Sequence, residues 1–295
     1  MVACPYCGSE VAKHPGEAVL TCPYCGTAFT VSGEEVGEHL MGRVNYTPHQ
    51  IFELFKIWAL RFPETPNDLS SGARFVSCDL TFYPYWVYEV SGSFRAAGGL
   101  ETAAVEVTIP ACNRVRGTPL ERLKLSLAGK VYYSHRYVVQ LGGRLAAADV
   151  GPGEADRAAL SAAELEVAER LGRRLGRSVA VRVEKLEKLT RRLVHVPVYS
   201  CTYEYGGHPY RFVADASDSR VLYAEIPVEA RFRVAALAGA GSSFALAAAS
   251  FALGLAYSLP GFILLTPLAL VGVGAYCLYK ASARRAVVKG FFAKS

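Results

Sequence analysis

"CPYCGSEVAKHPGEAVLTCPYCG", residues 4–26, carries the same five-residue word at both ends. Cys4 and Cys7, then Cys22 and Cys25, are each separated by two residues, a spacing at which one tight turn aims two thiolates at a single ion. Gly8 and Gly26 close the words and permit the left-handed backbone that such a turn needs. Ala18, Leu20, Ala28 and Phe29 supply short apolar strands between and after them. Four cysteines fill a tetrahedral shell and leave no position for water, so the spacing predicts a closed, structural Zn2+ site with Cys4, Cys7, Cys22 and Cys25 as ligands. Iron is the alternative occupant of four thiolates. So small a module buries little core, and metal binding is expected to supply most of its folding free energy. His14, in the intervening hairpin, reads as a solvated loop residue.

Both knuckles fit the pattern CPxCG, and residues 1–31 resemble the zinc-ribbon (rubredoxin-like) superfamily, which implies a small zinc β-ribbon. The other cysteines, Cys78, Cys112, Cys201 and Cys277, are scattered singly and are expected as small core residues. The opening "MVACPYCGSE" has neither the basic start nor the apolar run of a secretory signal, so the thiolates are expected in a reducing compartment.

The other end of the chain differs in kind. Residues 234–279 contain no charge. They form two apolar arms, "VAALAGAGSSFALAAASFALGLAYS" and "ILLTPLALVGVGAYCLY", joined by "LPGF". Each arm is long enough to cross about 30 Å of hydrocarbon as a helix, which predicts a C-terminal two-helix transmembrane hairpin over residues 231–281. Gly239, Gly241, Ala245, Ala249, Gly254, Gly272 and Gly274 are expected to let the helices approach closely, and Pro267 to kink the second. Arg231 and Arg233 precede the arms; Lys280, Arg284, Arg285, Lys289 and Lys294 follow them. Positive charge on both flanks places both termini in the cytoplasm, the protein in the cell membrane, and residues 282–295 in a basic cytoplasmic tail.

Between these ends, residues 32–46 read as a polar linker and 47–230 as a strand-rich mixed α/β cytoplasmic body, making the whole α+β. Thr47, Pro48 and Gln50 form the start signal of a helix whose apolar face is Ile51, Leu54, Phe55, Trp58 and Phe62. Strands are expected over residues 73–90 up to a turn at Ser91–Ser93, over "ETAAVEVTIPA" and over "KVYYSHRYVVQL". Three more follow beyond Arg191, parted by Gly206–Gly207 and "DASDS". Residues 151–178 read as a helix, acidic at its start and carrying Arg170, Arg173, Arg174 and Arg177 at its end. The aromatic–proline strand around Pro84 and Trp86 precedes a late Y-x-Y-x-G-x-x-Y-x-F pattern at Tyr203, Tyr205, Gly207, Tyr210 and Phe212. With these the body resembles uncharacterised prokaryotic zinc-ribbon membrane proteins, a likeness that implies organisation and no activity.

The net charge of +6 is local: 17 Lys and Arg face 9 Asp and Glu between Arg114 and Arg192. That segment is the candidate for nucleic acid, while the end of its helix meets either anionic headgroups or solvent. The ribbon has only Lys13 against Glu10 and Glu17, too few cations for phosphate. No phosphate loop, His-Glu-x-x-His or Gly-x-Ser-x-Gly is present, the histidines are dispersed, and no catalytic residue is assigned. Asp79 and Glu89 are the carboxylate pair for a β-unit to bring together. The expectation is therefore a membrane-anchored interaction or scaffold module, with the lipid bilayer and a protein at the cytoplasmic face as partners. Nucleic-acid binding through residues 114–192 is the alternative, alongside a non-catalytic part of an enzyme or transporter.

Overall fold

The computed structural model describes residues 1–96, 98–256, 265–282 and 285–289. In chain order the elements are β1 (Val2–Ala3), β2 (Glu10–Val11), β3 (Val19–Thr21), β4 (Ala28–Thr30), β5 (Glu38–Met41), α1 (Pro48–Ala59), α2 (Leu69–Gly72), β6 (Arg74–Ala96), β7 (Gly99–Pro110), β8 (Val131–Tyr132), α3 (His135–Gln140), β9 (Arg144–Leu145), α4 (Pro152–Leu175), β10 (Val181–Tyr205), β11 (His208–Asp215), β12 (Val221–Pro227), α5 (Ala230–Ala256), α6 (Leu265–Ser282) and β13 (Arg285–Lys289).

Two long strands, β6 and β10, run antiparallel down the middle of one mixed sheet. Each exchanges its outer neighbour part-way, and a proline marks each exchange. On β10, residues 192–195 pair with β5 and residues 198–205 with β11, so Pro197 falls in the gap. On β6, residues 81–82 pair with β9 and residues 85–96 with β7, so Pro84 falls in the other gap. A proline lacks the N–H a ladder needs, and here it stands where the ladder is already interrupted. β12 and β13 extend the sheet beyond β11, and β8 extends it beyond β5.

Helix α1 begins as expected: the Thr47 hydroxyl accepts from Gln50 N at 3.3 Å, and the Gln50 side chain accepts from Thr47 N at 2.8 Å. Its Ile51, Phe52 and Phe55 are buried against Tyr203, Tyr210 and Phe212, with the Phe55 and Phe212 rings stacked 4.1 Å apart. The late aromatic pattern is thus core. Helix α4 buries Ala155, Ala159, Ala163, Val167 and Leu171 against Trp86, Tyr88 and Val107 of β6 and β7, and Gly176 ends it in the left-handed conformation. Residues 113–125 cover the opposite sheet face, so Tyr85–Tyr88 are buried on both sides.

Several expectations are corrected. Within the segment 32–46, read as a linker, Glu38–Met41 form β5, parallel to β10. β6 runs on through Ser91–Ser93 to Ala96, with Gly92 passing the Lys185 carbonyl across a β-bulge that has no room for a side chain. "KVYYSHRYVVQL" is two residues of strand and then α3, because the Ser134 hydroxyl accepts from Tyr137 N and starts a helix. Cys78 and Cys201, taken as lone core residues, are directly opposed on β6 and β10 and disulfide-bonded, with Cα atoms 4.0 Å apart. Within the segment 282–295, read as a tail, Arg285–Lys289 form β13 against β12. The Arg170–Arg177 cluster lies by the Val181 end of the β6–β10 ribbon, whereas α5 and α6 leave the sheet near the Tyr205 end.

α5 is long and apolar enough to cross a membrane, and the shorter apolar α6 follows it. The two pack antiparallel: Arg233 Nε donates to Ala281 O at 3.1 Å, Gly239 approaches Cys277, and Gly274 lies against the Phe244 ring. Buried positions recur every seventh residue on both helices, at Ala240, Ala247 and Gly254 and at Pro267, Gly274 and Ala281. Of the small residues expected at the contact, Gly241, Ala245, Ala249 and Gly272 instead face outward. Pro267 lies in the first described turn of α6. The "LPGF" joint lies outside the described residues.

Candidate metal centre

Each knuckle is a closed turn. Gly8 N donates to Cys4 O at 2.9 Å, and Gly26 N to Cys22 O at 3.0 Å; both glycines have positive φ, at 74° and 80°. The turns face one another, so that Cys4 Sγ lies 3.6 Å from Cys25 Sγ, and Cys7 Sγ 3.6 Å from Cys22 Sγ. All four sulfurs lie within 4.8 Å of one another. Sulfurs about 2.3 Å from a tetrahedral ion stand about 3.8 Å apart, so the quartet has the size of a filled thiolate shell. The four cysteines are placed to bind a metal ion, as in a zinc-ribbon knuckle. His14 is exposed and outside the quartet, where its N–H is bonded to Glu17.

The sulfurs are not equivalent. The Ser9 hydroxyl beside Cys7 pulls its thiol down to about 6, whereas burial pushes Cys22 up to about 12 and raises Cys4 as well. A metal must therefore displace protons from the two inner thiols, which lie against Val11, Leu20 and Phe29. The outer two are solvent-facing, and the knuckle tips Tyr6 and Tyr24 are each 75% exposed.

This centre is built into the body. Val19 and Ala28 join the core under α4, and Val19 N donates to Ala148 O at 3.0 Å. Below the second knuckle, His39 Nδ1 donates to Gly26 O at 2.7 Å, which leaves Nε2 to accept from His195 Nδ1 at 2.9 Å. The His39 ring stacks on Tyr133 with centroids 4.2 Å apart. Burial lowers His39 to about 4 and drives His195 in the same direction, so both are neutral. In the sequence His195 is one of the dispersed histidines. His39 and Tyr133 carried no signal, since only tertiary contact makes them part of the site.

Elsewhere the candidate chemistry disperses. Asp79 pairs with Arg144 at 3.5 Å and Glu89 with Lys188 at 3.0 Å, ten residues apart on one strand and so about 33 Å from each other. They do not meet. Within the basic segment, Arg174 pairs with Glu101, Arg191 with Glu34 and Asp156, Arg192 with Glu38, and Lys188 with Glu89. Acids from residues 34–101 thus meet much of the local surplus. No family model, curated protein or solved structure matches the chain.

Proposed function

We propose that the chain is a zinc protein anchored in the cell membrane by α5 and α6, spanning as a hairpin with both chain ends in the cytoplasm, and that it docks a protein partner at that face. One observation carries the reading: the helix pair is apolar outside and small within. Leu237, Leu246, Phe251, Leu253, Leu268 and Tyr279 are all about half exposed or more, while alanine and glycine fill the seam. A helix pair in water would bury the large residues; in lipid, close packing of small ones is what holds helices together. Zn2+ is favoured over iron on the likeness of the two CPxCG knuckles to zinc ribbons, and the closed four-thiolate shell gives the ion a structural role. Docking of a protein is favoured over nucleic acid by the internal pairing of the basic segment and by the exposed Tyr6 and Tyr24 on a knuckle surface without Lys or Arg.

The Cys78–Cys201 bond belongs by ordinary usage to oxidising surroundings. The ladder opposes the two residues directly, so their sulfurs are adjacent as thiols or as a disulfide, and in the reducing cytoplasm proposed here the pair is expected as two thiols. The test is extraction of membranes from expressing cells with alkaline carbonate, followed by metal analysis of the detergent-purified chain. Retention in the pellet and one zinc per chain are expected; release into the supernatant overturns the anchor.

A further inference from the structure

Both feet of the helix pair carry an arginine into one cleft. Arg233, in the first turn of α5, and Arg285, the first residue of β13, line a cavity of about 470 Å³ with Tyr205, His208, Tyr210 and Pro227. The bond from Arg233 Nε to Ala281 O fixes that guanidinium between the helices, and among the described residues its terminal nitrogens have no partner. Arg285 lies over the Tyr210 ring, 5.1 Å from its centroid, and donates from Nη1 to Glu225 at 3.2 Å. Glu225 also accepts from Arg211 N and from the Tyr223 hydroxyl, so it is shared among three donors. Asp68 is engaged by the Tyr205 hydroxyl at 2.7 Å. Arg233 and Arg285 are the charged side chains that line the cleft; Asp68, Glu225 and Glu229 stand behind it, with Glu225 paired to Arg285 and Glu229 to Arg231, so the charge the cleft presents is the Arg233 guanidinium. It opens where the exposed apolar surface of α5 begins, at Val234 and Leu237.

We infer that this cleft binds the phosphate of an anionic glycerophospholipid headgroup. Arg233 takes two phosphate oxygens through its free terminal nitrogens. The inference rests on the membrane reading above, since that reading sets the cleft at the depth of headgroups.

The test is native mass spectrometry of the full chain released from nanodiscs of phosphatidylcholine containing a minor fraction of phosphatidylglycerol. The wild type is expected to retain one phosphatidylglycerol in preference to phosphatidylcholine. Arg233→Gln is expected to lower that preference about five-fold, the scale of one basic contact at an anionic surface. Arg233→Lys keeps the charge but loses the fork, so it is expected to fall between; it carries the test if the Gln variant fails to fold by circular dichroism. Arg231→Gln, whose side chain pairs with Glu229 at 2.6 Å outside the cleft, is expected to leave the preference intact. Equal retention of both lipids by the wild type overturns the site, as does an equal loss in the Arg231 and Arg233 variants. Displacement of the lipid by millimolar inorganic phosphate would reassign the cleft to a soluble ligand. Failure of the wild type to enter nanodiscs of either composition overturns the membrane reading itself, and the site with it.

Discussion

His39 ties the second knuckle to the sheet through its two ring nitrogens. A neutral imidazole offers one donor and one acceptor, and here the donor meets the knuckle at Gly26 while the acceptor meets the sheet at His195. Burial holds its pKa at about 4, against an ordinary 6.5. Between those values the unfolded chain takes up a proton that the folded chain refuses. The stability is therefore fully present above about 6.5 and is lost as pH falls towards 4, by about 3 kcal/mol for this group alone. His39→Gln is expected to flatten the pH dependence of urea unfolding between pH 6.5 and 4.5; parallel curves for variant and wild type would remove His39 from the linkage. The ligand cysteines were legible at this scale because spacing alone makes a knuckle. The Cys78–Cys201 pair was not, since 123 residues separate the partners and only the β6–β10 register opposes them.

Elements were legible where their signals are local. Thr47, Pro48 and Gln50 are neighbours, and the helix starts where they place it. Thr47→Ala is expected to lower stability by about 1 kcal/mol in thermal or urea unfolding; no change would mean the capping bonds count for nothing. The extent of β6 was not legible, because the bulge that accommodates Gly92 belongs to its partner near Lys185. Likewise Pro84 and Pro197 pointed to irregular ladder positions, but only the sheet shows that each strand changes neighbours there. The ribbon lies between these cases: its ligands were legible, its docking was not. Since Val19 and Ala28 share the α4 core, Cys22→Ser is expected to abolish metal binding and to raise amide exchange around Trp86 as well as in residues 1–31. Exchange confined to the ribbon would make it a separate module.

At the scale of the whole molecule, the helix pair is an insertion between two paired strands. β12 leads into α5, α6 leads into β13, and Pro227 opposes Arg285 where they part. That geometry returns the chain to the edge it left. The charge-free stretch was legible as two apolar arms; that the following basic residues re-enter the sheet was not, because five residues of strand between charges look like a tail. The proposed hairpin, with the body on the cytoplasmic side, requires the chain to reverse on the outer side. The direct measurement is alkylation, in intact cells, of a cysteine placed at Gly261 by a reagent that does not cross the membrane. Labelling from outside, absent in the wild type, is the predicted result; labelling only after lysis would contradict the orientation.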